Sequence, residues 1–205
     1  MDSPAGKIAC RDQWEYIMLI AFHKPYDVLS QFTRELPDHK TLADFGLPKN
    51  VYAIGRLDRD SEGLLLLSDE KPLVDRLLHP RHEHPRTYQV QCEGLANEKQ
   101  LQTLQNGSLV IQGHRVAKTT AIILTEEPAL PPRNPPIRYR ATIPTCWLQL
   151  TLTEGKNRQV RRMTAAVGLP TLRLVRVAIG DLVLADLASG TWRELSLADR
   201  ILLGV

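Results

Sequence analysis

The stretch G-R-L-D-R-D-S-E-G-L-L-L-L-S, Gly55 to Ser68, passes from a charge-dense turn straight into four consecutive leucines. Four apolar residues closed by Ser68-Asp69 are too few for a helix and suit a buried strand. Asp58 then stands on a loop docked against the core, with Arg56 and Arg59 on either side. A carboxylate fixed among cations stays ionised near neutral pH and serves as a nucleophile or a base. Gly55 and Gly63 bracket the loop with residues that tolerate unusual backbone angles. Two plainer accounts compete with this one. Arg56, Asp58 and Arg59 could form an ordinary surface ion pair on a turn. Asp58-x-Asp60-x-Glu62-Gly63 also has the alternating oxygens of a calcium loop, but its twelfth position is Asp69, two arginines interrupt it, and a strand follows where a helix should.

Composition narrows the field. A chain of 205 residues with 43% hydrophobic content holds one substantial core or two closely packed subdomains. No apolar run approaches the roughly 18 residues that cross a membrane, and Asp2, Asp12 and Glu15 spoil a signal-peptide reading. Cys10, Cys92 and Cys146 are odd in number and far apart, which fits a reduced, cytoplasmic protein without a disulfide framework or zinc spacing. His79, His82 and His84 have no cysteine near them and read as a solvated turn rather than a metal site. The charge is uneven. Residues 1–127 hold 15 Lys and Arg against 18 Asp and Glu, whereas residues 128–205 hold 11 against 5. The second half is therefore expected to carry most of a polyanion-binding face.

In chain order, residues 1–15 read as a polar lead-in and Tyr16–Phe22 as a first buried strand, ended by His23-Lys24-Pro25. A short helix is expected at Leu42–Phe45 and another from Pro72, which sits well at a first helical turn, to His79. Thr87–Glu93 alternates as a strand with Tyr88, Val90 and Cys92 on one face. Asn97 caps a helix that Gly107 closes, and Leu109–Ile111 and Val116–Leu124 are further strands. Residues 126–144 hold six of the fourteen prolines and form a specialised loop or a disordered insert. Cys146–Thr153 is a strand, Asn157–Val167 a helix, Thr171–Ile179 a strand, and Leu182–Leu197 a hairpin, with 198–205 as a tail. On the helix from Asn157, Val160, Met163 and Val167 share an inward stripe, while Arg158, Arg161 and Arg162 group into one guanidinium patch on the other face. Lys156 and Asn157 stand at its positive end. Alternating strands with helices inserted between them predict an α+β fold built on a mixed, mainly antiparallel sheet.

Four segments, taken together, resemble a known family. G-R-L-D-x-x-x-x-G-L-L, the tripeptide His23-Lys24-Pro25, Tyr88-Gln89-Val90 and E-G-K-N-R-Q-V-R-R-M occur in the order found in the RsuA-type pseudouridine synthases. The resemblance runs from about Tyr16 to Leu197 and implies a two-lobed sheet with a central cleft. Many members carry an N-terminal S4 RNA-binding domain; with the first strand at residue 16, the expectation is a catalytic domain alone over 16–197. The loop P-P-R-N-P-P-I-R narrows the resemblance to members that act on large-subunit (23S) ribosomal RNA. The resemblance makes Asp58 the catalytic carboxylate, attacking C1′ or taking the C2′ proton, with Tyr88 against the detached uracil. Arg161 is the first choice to hold Asp58 ionised and Lys156 the second. Lys24, Arg56, Arg59, Lys156, Asn157, Arg158 and Arg162 are expected on phosphates, and Arg133, Arg138 and Arg140 with Tyr139 are expected to select the site. Breaking N1–C1′ and joining C5 to C1′ is an isomerisation, so no cofactor or metal is demanded, and a monomer suffices. The competing class is a non-catalytic RNA-binding or ribosome-assembly module; its mark would be loss of the aspartate or the tyrosine.

Overall fold

The computed structural model describes residues 18–137, 140 and 142–205. The expected lead-in over 1–15, Arg138 and Tyr139 lie outside them. Among the described residues, nine strands form one sheet: β1 (Leu19–Lys24), β2 (Tyr52–Ile54), β3 (Glu62–Ser68), β4 (Arg86–Glu93), β5 (Thr120–Leu124), β6 (Thr145–Leu152), β7 (Thr171–Ile179), β8 (Leu182–Val183) and β9 (Trp192–Glu194). Their order is β9-β1-β3-β7-β4-β6-β5, with β2 beside β3 and β8 beside β7. Four helices flank it: α1 (Lys71–Leu78), α2 (Glu98–Gln105), α3 (Gln159–Ala166) and α4 (Leu197–Leu203). The fold is the mixed, mainly antiparallel α+β arrangement that the strand pattern predicts.

The four leucines explain why β3 lies inside. Leu64 and Leu66 pack on one face with Leu73 and Leu77 of α1, Leu19, Val175 and Leu203. Leu65 and Leu67 pack on the other with Ile20, Phe22, Leu42 and Val51. A strand buried on both faces reads as a continuous apolar run rather than an alternation. Each leucine so buried contributes about 1.5–3 kcal/mol. A separate cluster around Val90, Leu104, Leu148, Leu150, Met163 and Leu174 fills the other half, beneath α2 and α3.

The halves meet at a single parallel pairing, β3 with β7, where Glu62 faces Val175 and Gly63 faces Arg176. Elsewhere in the sheet the pairing is antiparallel. Gly63 has φ of +106°, and a Cβ there would lie 2.3 Å from the Arg176 carbonyl oxygen. Only glycine lets the seam close this tightly.

Four expectations from the sequence change. The hairpin expected over Leu182–Leu197 does not form, because β8 pairs with β7 and β9 with β1. The strand expected over Val116–Leu124 begins only at Thr120, because Ala117 donates its N–H to Glu154 and Thr119 to the Gln105 carbonyl instead of to a strand. The helix expected from Asn157 begins at Gln159, since Arg158 sits in the left-handed region at φ of 51°. The expected tail 198–205 is instead mostly α4, whose Ser196 and Asp199 cap each other's backbone groups and whose Leu203 enters the core.

Candidate active site

The loop 55–61 is held from several sides before it reaches β3. Ser30 Oγ donates to the Leu57 carbonyl at 2.7 Å and accepts from the Leu57 N–H at 3.1 Å. Asp27 N–H donates to the Arg59 carbonyl, and Ser61 N–H to that of Asp58. Lys24, expected on a phosphate, is 0% exposed; its Nζ donates to the carbonyls of Val28 and Pro25 at 2.7 and 2.9 Å. It braces the loop and does not face solvent. Burial pushes its pKa down to about 7, against the pull of Glu62, Asp60, Asp58 and Asp27.

Asp58 opens into a cleft of about 680 Å³ at the seam between the halves. Tyr88 of β4 lines the same cleft, as do Arg56, Arg59, Lys156, Asn157 and Arg158. Six cations line it (these four with Arg86 and Arg176) against two carboxylates, Asp58 and Glu154. Such an excess draws a polyanion into the opening.

The cations are shared out differently from the sequence expectation. The arginine beside Asp58 is Arg158, with Nη1 3.7 Å from Oδ2. Arg158 also donates twice to Asp60, at 2.9 and 2.7 Å. Arg161, expected on Asp58, turns inward to Asp60. Its Nη2 donates to the Asp60 carbonyl at 2.6 Å and its Nε lies 3.3 Å from Oδ2. Burial works against the Asp60 charge, but the Arg158 hydrogen bonds and the Arg161 and Arg158 charges outweigh it and hold its pKa below the usual range. Arg162 leaves the group altogether and donates to Gln112 and Asn157. The single outward guanidinium patch therefore does not form.

The neighbours of Asp58 also find other partners. Arg59 donates to Asp27 at 2.6 Å and lies 3.0 Å from His39. Arg56 donates to Gln31 at 3.2 Å, and Lys156 stands exposed at the rim. Of the carboxylates in the calcium-like pattern, Asp60 goes to Arg158 and Arg161 and Glu62 to Arg173, so they diverge instead of converging on an ion. In the Pro-rich loop, Arg133 lies 4.2 Å over the Tyr26 ring and Arg140 pairs with Glu93 at 3.3 Å. Arg138 falls outside the described residues.

Several residues that shape the site carry no expected role in the sequence. Glu62 and Arg173 make a buried bidentate pair, and Arg173 also donates to the Pro131 carbonyl, tying the loop to the seam. Glu154 accepts from Ala117 N–H and Gln159, fixing the turn into α3. Arg86 and Arg176 lie under the cleft. Their visible signal is a guanidinium two residues from Tyr88 and another inside an apolar strand.

A parallel seam between two antiparallel halves, with a carboxylate and a tyrosine facing a cationic cleft, defines an enzyme of polyanionic substrates. The sequence matches the family described as RNA pseudouridylate synthase over residues 18–166. The chain belongs to that family, whose members convert uridine in RNA to pseudouridine. A ribosomal large subunit pseudouridine synthase E from Xanthomonas campestris pv. campestris is 57% identical over 178 residues, 86% of this chain and 94% of its own. A protein of the same name from Vibrio vulnificus is 52% identical over 179 residues, 87% of this chain and 75% of its own. A crystal structure of a pseudouridylate synthase superposes with a TM-score of 0.75 at 26% identity, covering 91% of this chain and 74% of that one.

Proposed function

We propose that this enzyme isomerises a specific uridine of large-subunit (23S) ribosomal RNA, with Asp58 as the catalytic carboxylate and Tyr88 beside the uracil. The observation that carries the reading is the shared cleft. Asp58 and Tyr88 face one opening whose about 680 Å³ suits a flipped nucleotide and its flanking backbone. Similarity to two synthases named for the large ribosomal subunit supports the substrate.

The residues divide the work by position. Asp58 acts at the ribose, by attack on C1′ or removal of the C2′ proton, and the Arg158 guanidinium stands 3.7 Å from it. Arg161 is a positioning residue that acts through Asp60 and so sets the loop carrying Asp58. Tyr88 offers a hydroxyl that passes the C5 proton once the ring has turned. Arg56 and Lys156, exposed at the rim, contact the RNA backbone, and the loop bearing Arg133, Arg138 and Arg140 selects the site. The reaction needs neither redox change nor water, so a cytoplasmic monomer without metal or cofactor suffices. Among the described residues, no helix is long and apolar enough to cross a membrane.

The test is to map pseudouridines in large-subunit ribosomal RNA from cells with and without this chain. One position should lose its modification and regain it on expressing the wild type but not Asp58→Asn. An unchanged map would refute the assignment.

A further inference from the structure

Two buried cations under the cleft contact neither Asp58 nor Asp60. Arg86 is 8% exposed and Arg176 is 4% exposed, yet both line the cleft. Neither has a carboxylate within ion-pair distance among the described residues. Arg86 Nη2 donates to the Leu77 carbonyl at 2.9 Å, and Arg176 Nε to that of Leu64 at 2.7 Å. Arg176 Nη2 is buried with no hydrogen-bond partner. A buried guanidinium N–H without a partner is costly and calls for an explanation.

Their place in the sheet supplies one. Arg176 is the cross-strand partner of Tyr88 on β4, and Arg86 lies two residues before Tyr88 on the same strand. Cross-strand partners and residues two apart share a face, so the two guanidiniums flank the tyrosine on its cleft side. Burial draws the Arg86 pKa below its ordinary value, Tyr88 works against that, and Arg176 adds to it.

We propose that Arg86 and Arg176 form a dicationic floor that stabilises the negative charge carried by the uracil ring after it leaves the ribose. This rests on the assignment of the cleft to catalysis. When C1′–N1 breaks, its electron pair goes to N1 and spreads over O2 and O4, whether Asp58 has bonded to C1′ or taken the C2′ proton. The ring turns, the same π system supplies the pair for the new C5–C1′ bond, and Asp58 leaves C1′ or returns its proton to C2′. C5 then gives up its proton while N1 takes one, so product and substrate are isomers and no co-reactant enters. Preorganised donors in a water-poor site stabilise such developing charge more strongly than they would in water.

The experiment compares Arg86→Gln, Arg176→Gln and the two Lys variants under single-turnover conditions, on RNA carrying uridine or 5-fluorouridine at the target. Fluorine withdraws electron density and makes the detached ring a more stable anion, so it lessens the need for the floor. Each Gln variant should consume the uridine substrate on the order of 10²–10³-fold more slowly with RNA affinity unchanged. On 5-fluorouridine the loss should be at least about tenfold smaller, and the Lys variants should retain most activity on both. Equal losses on the two bases, or losses that vanish at saturating RNA, would overturn the proposal in favour of structural clamps or phosphate contacts. Should the Gln variants fail to fold, folded Lys variants with large, equal losses on both bases would overturn it as surely. Asp58→Asn in the same assay separates the two claims: if it is active the catalytic assignment falls, and if it is inert while losses are equal only the floor falls.

Discussion

Glu62 and Arg173 form a bidentate ion pair at 2.7 and 2.8 Å, buried at the parallel seam where the two halves of the sheet meet. The same guanidinium donates to the Pro131 carbonyl at 2.8 Å, so one arginine joins the halves and anchors the Pro-rich loop. Breaking a buried pair from one side strands a charge and costs about 3–5 kcal/mol, whereas a matched apolar pair is often tolerated. Glu62→Ala or Arg173→Ala should each lose about that much in chemical denaturation. Glu62→Leu with Arg173→Met should recover most of it. A double variant as unstable as the singles would mean that packing, not charge, holds the seam.

Gly63 should be irreplaceable for a different reason. An added Cβ would meet backbone, the Arg176 carbonyl oxygen at 2.3 Å, with φ already at +106°. Backbone cannot rotate away as a side chain can. Gly63→Ala is therefore expected to destabilise by at least about 3 kcal/mol, at the severe end for single substitutions. A melting temperature near wild type would show that β3 and β7 can part without harm.

Lys24 carries a pH signature. Its folded pKa of about 7 lies below its ordinary value of 10.5. Between these values the unfolded chain binds the extra proton, so stability must rise with pH across that window. Below about 7 both states are protonated, and the burial penalty is present in full. Lys24→Met should remove a slope of at most about 1.4 kcal/mol per pH unit between pH 7 and 10.5. Denaturation series for the two proteins running parallel over that range would place the charged amine comfortably in the core, against this account.

What the sequence could disclose depended on whether neighbours along the chain decide the matter. Four leucines in a row, the Asn97 cap and the alternation around Tyr88 are local signals, and each produced its element. Lys24 shows the limit. Pro25 marks the end of a strand, but nothing local shows that the carbonyls of Pro25 and Val28 will converge on the amine. Arg161 fails similarly. A helical wheel begun at Asn157 groups it with Arg158 and Arg162, but the helix starts later and the docked loop brings Asp60 to its face. Helix α4 was legible after all: Ser196-Leu-Ala-Asp199 followed by apolar residues and Gly204 is a local start and stop signal.

Arg56 and Lys156 are exposed at the cleft rim, where the proposed function puts the RNA backbone, whereas Arg158, also exposed, is paired with Asp60, and Arg162 with Gln112 and Asn157. Changing both Arg56 and Lys156 to Gln should weaken RNA binding and flatten its salt dependence. Each lost phosphate contact on single-stranded RNA removes a slope of about 0.7, so the pair should remove about 1.4. A double variant that keeps the wild-type slope would move the phosphate path elsewhere.

On the proposed mechanism, the charge on Asp58 performs the chemistry. Asp58→Asn keeps the size and shape of the side chain, removes the charge and turns one acceptor oxygen into an NH2 donor. The most direct measurement is tritium release from C5 of labelled uridine in transcribed large-subunit ribosomal RNA. The variant should give no release above background, with RNA affinity within about tenfold of wild type, a shift of no more than about 1.4 kcal/mol. Release by the folded variant at the wild-type rate would contradict it.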